Sequence, residues 1–66
     1  MKATVNGELR EMPEGATVGM LLAILGRQRD GIAVARNDRV VRRSEYDSDP
    51  IGEGDRIEII VAVAGG

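Results

Sequence analysis

The sequence contains neither cysteine nor histidine in its 66 residues. Without histidine, no side chain has an unperturbed pKa near neutrality, so the commonest general base is missing. Without cysteine, the chain has no thiolate nucleophile, no disulfide bond and no thiolate metal ligand. Covalent chemistry on this chain therefore has to use a hydroxyl, a carboxylate, the single lysine or a terminus.

Aromatic residues are almost absent as well, since Tyr46 is the only one. We therefore predict an aliphatic core. A chain of this length buries only about 60% of its unfolded surface, so a large pocket with its own catalytic machinery is not expected. The prediction is one domain over residues 1–66, with residues 64–66 as a flexible tail and with no bound cofactor or metal.

The charge is small and unevenly distributed. A net charge of −2 argues against nucleic acid as a partner. Arginines crowd the region from Arg27 to Arg43, and acidic residues dominate from Glu45 to Glu58. Such runs are usually solvated faces, and a charge-steered docking surface for a protein partner is the alternative.

No apolar segment follows Met1-Lys2, and no stretch approaches the length that spans a membrane. The expectation is a cytoplasmic protein without membrane contact. The absence of cysteine fits that compartment, because small secreted domains more often carry disulfides.

Two hairpins are predicted. The first joins Ala3–Val5 to Glu8–Met12 through Asn6-Gly7, a dipeptide that favours a two-residue turn with positive φ. The second joins Ile32–Arg36 to residues 39–42 through a polar turn at Asn37-Asp38.

A helix is predicted between the hairpins. Thr17 is its N-cap candidate, and Gly26 stands where a C-terminal cap is expected. The apolar stripe, at spacings i, i+3, i+4 and i+7, consists of Val18, Leu21, Leu22 and Leu25. The helix should therefore run from Val18 to Leu25, or as far as Arg27, and cover one face of a sheet.

The last strand has the strongest pattern and is predicted over 56–63. It follows an irregular segment, 44–50, with one helical turn at most, and a turn at 52–55. The residues predicted to face the helix are Ile57, Ile59, Val61 and Val63. Ile60 and Ala62 must then point the other way, which makes them candidates for partner contact, although single exposed apolar residues are common.

These elements describe an α+β fold. A hairpin, a helix, two shorter strands and a final strand give a mixed sheet of four or five strands with one helix across one face. The first and last strands should be central neighbours that run parallel. This architecture is the ubiquitin-like β-grasp.

The C-terminal dipeptide Gly65-Gly66 is the main candidate for a functional group. Two residues without Cβ make a thin, permissive strand that can enter a narrow cleft in another protein. The α-carboxylate of Gly66 is then the reactive group, with Val63 and Ala64 seating the base of the tail. An inert tail is the alternative.

Several separated segments resemble the ThiS family, the ubiquitin-like sulfur carriers of thiamine biosynthesis. The segments are Val5-Asn6-Gly7-Glu8, Gly15-Ala16-Thr17-Val18, Arg43-Ser44-Glu45-Tyr46, Gly54-Asp55-Arg56-Ile57-Glu58-Ile59 and Val63-Ala64-Gly65-Gly66. The resemblance continues through Leu21-Leu22, Ala33-Val34-Ala35, Asn37 and Val40-Val41, so that it covers essentially the whole length of the chain. Relatives often have Trp at the position of Tyr46, and many have Phe at the position aligned with Ile60.

The resemblance implies a carrier rather than an enzyme. An adenylyltransferase of the E1-like ThiF type would use ATP and Mg²⁺ to adenylate the Gly66 carboxylate. Sulfur from a donor protein such as a cysteine desulfurase would convert it to a thiocarboxylate. A thiazole synthase of the ThiG type would then use that sulfur for the thiazole moiety of thiamine.

Three alternatives remain open at this point. The small subunit of molybdopterin synthase is also a β-grasp carrier that ends in Gly-Gly. A ubiquitin-like modifier would join Gly66 to lysines of target proteins. A plain interaction domain would have an inert tail.

Overall fold

The computed structural model describes residues 1–61. Its elements are β1 (Lys2–Val5), β2 (Glu8–Glu11), α1 (Val18–Ile24), β3 (Ile32–Arg36), β4 (Arg39–Val41), a 3-10 helix (Arg43–Glu45) and β5 (Arg56–Val61). The strands form one five-stranded sheet in the order β2-β1-β5-β3-β4. β1 and β5 run parallel, and the other neighbouring pairs are antiparallel. The predicted mixed sheet, with parallel first and last strands as inner neighbours, is confirmed.

The helix begins where the sequence predicts. The Thr17 hydroxyl oxygen accepts a hydrogen bond from the Met20 backbone N–H at 3.2 Å, which satisfies one of the free donors of the first turn. Leu25 is the C-terminal cap, and Gly26 follows it with a φ of 69°. No helix among residues 1–61 is long and apolar enough to cross a membrane.

The core lies between α1 and the sheet, and it contains an aromatic side chain that the sequence did not lead us to expect there. Tyr46 is 1% exposed and is the largest fully buried residue, so the prediction of a purely aliphatic core is wrong. Two backbone hydrogen bonds fasten its segment: the Gly19 N–H donates to the Tyr46 carbonyl at 2.8 Å, and the Ile51 N–H donates to the Ala16 carbonyl at 2.7 Å. The polar segment after β4 therefore closes the core beside the start of α1.

Both predicted hairpin turns are present. Asn6 and Gly7 have φ values of 51° and 83°, and Asn37 and Asp38 have values of 53° and 69°. Positive φ at both central residues suits a two-residue turn, because it matches the twist of the flanking strands. The hairpins β1-β2 and β3-β4 thus lie on either side of β5.

A carboxylate fastens the turn that leads into β5. Asp55 accepts hydrogen bonds from the Gly52 N–H at 2.7 Å and from Asn37 Nδ2 at 3.0 Å, and Arg36 Nε lies 3.8 Å away. Burial alone would raise the pKa of Asp55, but the two hydrogen bonds and the Arg36 charge outweigh burial and lower that pKa. The ionised form of Asp55 therefore stabilises the start of β5.

Candidate functional site

The predicted reactive end of the chain lies beyond the part that the structure describes. Gly66, Gly65, Ala64, Val63 and Ala62 all fall outside residues 1–61. The structure describes the strand that leads to them, β5, and the surfaces on its two sides.

The two faces of β5 differ as the alternation predicts, up to Ile60. Ile57 and Ile59 are 0% and 7% exposed and lie on the helix side. Ile60 is 57% exposed on the opposite face, as predicted. The expectation that Val61 is covered by the helix is wrong, because Val61 is 53% exposed.

The exposure of Val61 has a simple cause in the length of the helix. α1 ends at Ile24, and the chain beyond it leaves an open cleft. Leu25, Ile32 and Val61 are among the residues that line this cleft. The end of β5 therefore has exposed apolar side chains on both of its faces.

On the face opposite α1, Ile60 belongs to an apolar group that we call the open-face patch. Its members are Ala33, Ala35, Val40 and Ile60. Ala33 pairs with Ile60 across β3 and β5, and Ala35 pairs with Val40 across β3 and β4. Val40 is 70% exposed, and the alanines between the two larger residues add little bulk. Ile60 and Val40 are thus available for contact with another protein.

The charges beside the open-face patch are paired. The Arg56 guanidinium makes an ion pair with Asp38, and its Nε lies 3.8 Å from Glu58. The hydrogen bond to Asp38 raises the pKa of Arg56 above its ordinary value, and the negative charge of Asp38 acts in the same direction. The border of the patch is therefore polar without a strong excess of one sign.

The arginine run and the acidic run of the sequence also meet in space. Arg29 makes a two-pronged ion pair with Asp47, with N–O distances of 2.6 and 2.7 Å. Within the arginine run itself, Arg43 pairs with Asp30 at 2.6 Å. The hydrogen bond from Arg29 lowers the pKa of Asp47. This mutual neutralisation favours the interpretation of the charged runs as solvated faces.

Sequence reasoning found Ile60 but missed its neighbours. Ala33, Ala35 and Val40 become a surface only once the register of β3, β4 and β5 is known. The sequence does contain a signal for this surface, because Ala33, Ala35 and Val40 alternate with Val34 and Val41, which face the helix side. Within residues 1–61, no group of three or more acidic side chains could hold a metal ion.

Comparison with protein families and curated proteins gives a consistent result. The ThiS family model matches residues 3–66. The sulfur carrier protein ThiS of Escherichia coli is 30% identical over the full length of both chains. Thiazole synthases of Paramagnetospirillum magneticum and Magnetococcus marinus are each 38% identical over all 66 residues. The chain spans only 20% of the length of those two synthases.

Solved structures agree with this match. The crystal structure of the thiamine biosynthesis protein ThiS from Geobacter metallireducens superposes with a TM-score of 0.86, at 30% identity and with both chains fully covered. A solution structure of a thiamine biosynthesis protein from the same organism gives a TM-score of 0.78 at 29% identity, covering this whole chain and 88% of the other. The predicted β-grasp fold is confirmed.

Proposed function

The chain belongs to the ThiS family, and from that premise we propose that it carries sulfur as a thiocarboxylate on Gly66 for the thiazole ring of thiamine. The observation that carries the proposal is the family match over residues 3–66, which extends through the Gly-Gly end. It favours this function over that of a molybdopterin synthase small subunit. The amino-acid composition is compatible with sulfur carried on the terminus, since a chain without cysteine has no side-chain thiolate to hold the sulfur.

The terminal carboxylate suits the first step of this cycle. Its pKa of about 3.3 to 3.7 keeps it ionised, so one of its oxygens can attack the α-phosphorus of ATP on an E1-like adenylyltransferase. Mg²⁺ on that partner would neutralise the phosphates. Pyrophosphate leaves, and the product is an acyl-adenylate on Gly66.

Activation must come before sulfur transfer, because a free carboxylate is a poor electrophile. The terminal sulfur of a persulfide on the donor protein attacks the activated carbonyl, and AMP leaves. A thiol then cleaves the sulfur–sulfur bond of the acyl disulfide. This step oxidises the thiol to a disulfide and leaves the thiocarboxylate on Gly66.

The acceptor of the sulfur is a thiazole synthase in this proposal. Support comes from the two relatives named thiazole synthase, which contain a segment 38% identical to the entire chain. The tail, residues 64–66, would reach roughly 10 Å into an active site when extended at about 3.3 Å per residue. Gly65 would allow close approach of the partner, and Val63 and Ala64 would seat the tail's base.

The open-face patch would bind the adenylyltransferase. Ile60 lies on the strand that leads to the tail, and its side chain is exposed and apolar. Contact at Ile60 and Val40 would bury apolar surface and orient the carrier while Gly66 enters the active site. Ala62 would extend this contact towards the tail.

Intact-mass measurement tests the proposed function. The carrier is incubated with ATP, Mg²⁺, the adenylyltransferase and a persulfide donor, and the expected product is heavier by the exchange of one oxygen for sulfur. A control variant carries one additional Ala after Gly66. It should remain folded and gain no sulfur, because its carboxylate lies one residue too far along the tail.

Three outcomes would count against the proposal. The wild-type mass would stay unchanged if Gly66 were not the carrier group. Equal loading of the extended control would show that the position of the carboxylate is not recognised. Isopeptide-linked conjugates in cell extracts would indicate a protein modifier instead.

A further inference from the structure

The side chain of Asn6 continues the pairing of β1 with β5 after β1 has ended. The Thr4 N–H donates to the Asp55 carbonyl and the Asn6 N–H to the Ile57 carbonyl, both at 2.9 Å. The backbone then turns away into β2. Asn6 Oδ1 accepts from the Ile59 N–H at 2.8 Å, and Asn6 Nδ2 donates to the Ile59 carbonyl at 3.4 Å. The side-chain amide thus stands in for the next backbone amide of a parallel ladder.

These bonds are formed at the point where β5 leaves the core. Ile59 is 7% exposed, whereas Val61, the next residue on the helix side of the strand, is 53% exposed. On the β3 side, pairing continues through Ala33 with Ile60 and Ile32 with Val61. On the β1 side, Asn6 makes the last hydrogen bonds to β5 among residues 1–61. Without this amide, the end of β5 would be held from one side only.

Asn37 provides a matched comparison at the other end of the same strand. It occupies the equivalent position of the β3-β4 turn, with a φ of 53° against 51° for Asn6. Its Oδ1 accepts from the Arg56 N–H at 2.9 Å, and its Nδ2 donates to Asp55 at 3.0 Å. Two asparagines with the same backbone conformation therefore bind opposite ends of β5.

We propose that Asn6 is a positioning residue for sulfur loading, which holds the exit of β5 so that Gly66 approaches the adenylyltransferase in a narrow range of directions. This inference depends on the proposed function. If the end of β5 changes direction relative to the sheet, only a fraction of the carrier molecules place Ile60 and the tail in contact with the partner at the same time. The apparent association constant for the partner is then the intrinsic constant multiplied by that fraction.

The test compares the loading kinetics of wild type, Asn6→Gly and Asn37→Gly at a temperature where all three are folded. Glycine removes the amide and tolerates positive φ, so neither variant gains backbone strain. We expect a similar loss of thermal stability in both. The kcat/KM for loading should fall about tenfold in Asn6→Gly and stay near wild type in Asn37→Gly. A fall of this size is what the loss of the hydrogen bonds between Asn6 and Ile59 can produce.

The change should lie mainly in KM, because a higher carrier concentration compensates for a smaller binding-competent fraction. In Asn6→Asp one carboxylate oxygen still accepts from the Ile59 N–H, now in a charge-assisted hydrogen bond, whereas the other oxygen replaces the Nδ2 donor and faces the Ile59 carbonyl oxygen without a hydrogen bond. The kcat/KM of this variant should therefore stay within about threefold of wild type, since most of the restraint is kept.

The outcomes separate this inference from the proposed function. Wild-type kinetics in Asn6→Gly, or an equal fall in Asn37→Gly, would overturn the positioning role while the carrier function stands. A wild-type chain that gains no sulfur would overturn both.

Discussion

Replacing Ile60 with aspartate should weaken binding to the adenylyltransferase without unfolding the carrier. Ile60 is 57% exposed on the face of the sheet opposite α1, so its side chain contributes little to the core. Unfavourable strand propensity and proximity to Glu58, two residues earlier on the same face, should cost about 1 kcal/mol of folding stability. The protein should therefore remain folded at room temperature.

The loss of affinity is expected to be larger than the loss of stability. Complete burial of an isoleucine side chain stabilises by about 1.5 to 3 kcal/mol, and a little over half of the Ile60 side chain remains to be covered by a partner. That contributes about 1 to 2 kcal/mol of binding, and leaving a carboxylate unpaired in the interface costs about as much again. The dissociation constant should rise between about thirtyfold and several hundredfold.

Isothermal titration calorimetry measures this change, and Leu9→Asp is the matched control. Leu9 is 67% exposed and pairs with Thr4, which places it on the same face of the sheet but on the edge strand β2. Leu9→Asp should bind like wild type, and Ile60→Ala should lie between wild type and Ile60→Asp. Unchanged affinity of Ile60→Asp would remove Ile60 from the contact surface.

Three further predictions concern the folded body. Tyr46→Ala should lower the free energy of unfolding by about 3 to 5 kcal/mol, which is most of the stability expected for a domain of this size. Circular dichroism should then show no cooperative unfolding transition. A loss under about 1 kcal/mol would contradict the close packing of Tyr46 in the core. In Gly19→Ala, the new Cβ would overlap Asp47 Oδ1 and displace the exposed Arg29–Asp47 pair. Urea titration should give Gly19→Ala a free energy of unfolding within about 0.5 kcal/mol of wild type, because the gain in helix propensity offsets the loss of the exposed ion pair. In an Asp47→Ala background only the gain in helix propensity remains, so the same substitution should stabilise by up to about 1 kcal/mol. Equal effects in the two backgrounds would refute the contact between residue 19 and Asp47. The stabilisation from Asp55, whose pKa is lowered on folding, is present above the unfolded pKa near 3.9 and is lost as pH falls through the folded value. Melting temperatures of Asp55→Asn should therefore decline less than those of wild type between pH 5 and about pH 2, and parallel curves would count against the assignment.

Much of the fold could be predicted because its signals are local. Asn6-Gly7 marks a turn by backbone preference alone, and Thr17 with the leucine stripe marks the start and the buried face of α1. The pairing of the first and last strands followed from having one helix to cover one face of the sheet. None of these inferences needed the position of a distant residue.

The features that escaped prediction all depend on distant contacts. Tyr46 lies in a polar, acidic stretch, and its burial follows from backbone bonds that join its segment to Gly19 and Ala16. Val61 has the right phase for the core but lies beyond the end of α1, which strand periodicity cannot reveal. The second hydrogen-bonding role of Asn6 was hidden because the turn already accounted for the asparagine.

The contrast between the two ends of β5 bears on how a carrier works with several partners. Near Arg56 the strand is fastened by Asn37 and flanked by paired charges, whereas near Val61 it has exposed apolar side chains on both faces. In the proposed cycle the carrier visits an adenylyltransferase and then a thiazole synthase, and it has to leave each of them. The open-face patch contains only two large exposed side chains, Ile60 and Val40, which suits the small interfaces typical of transient complexes. Selection on this surface should therefore favour accurate presentation of Gly66 over tight binding, and that is the role in which Asn6 matters.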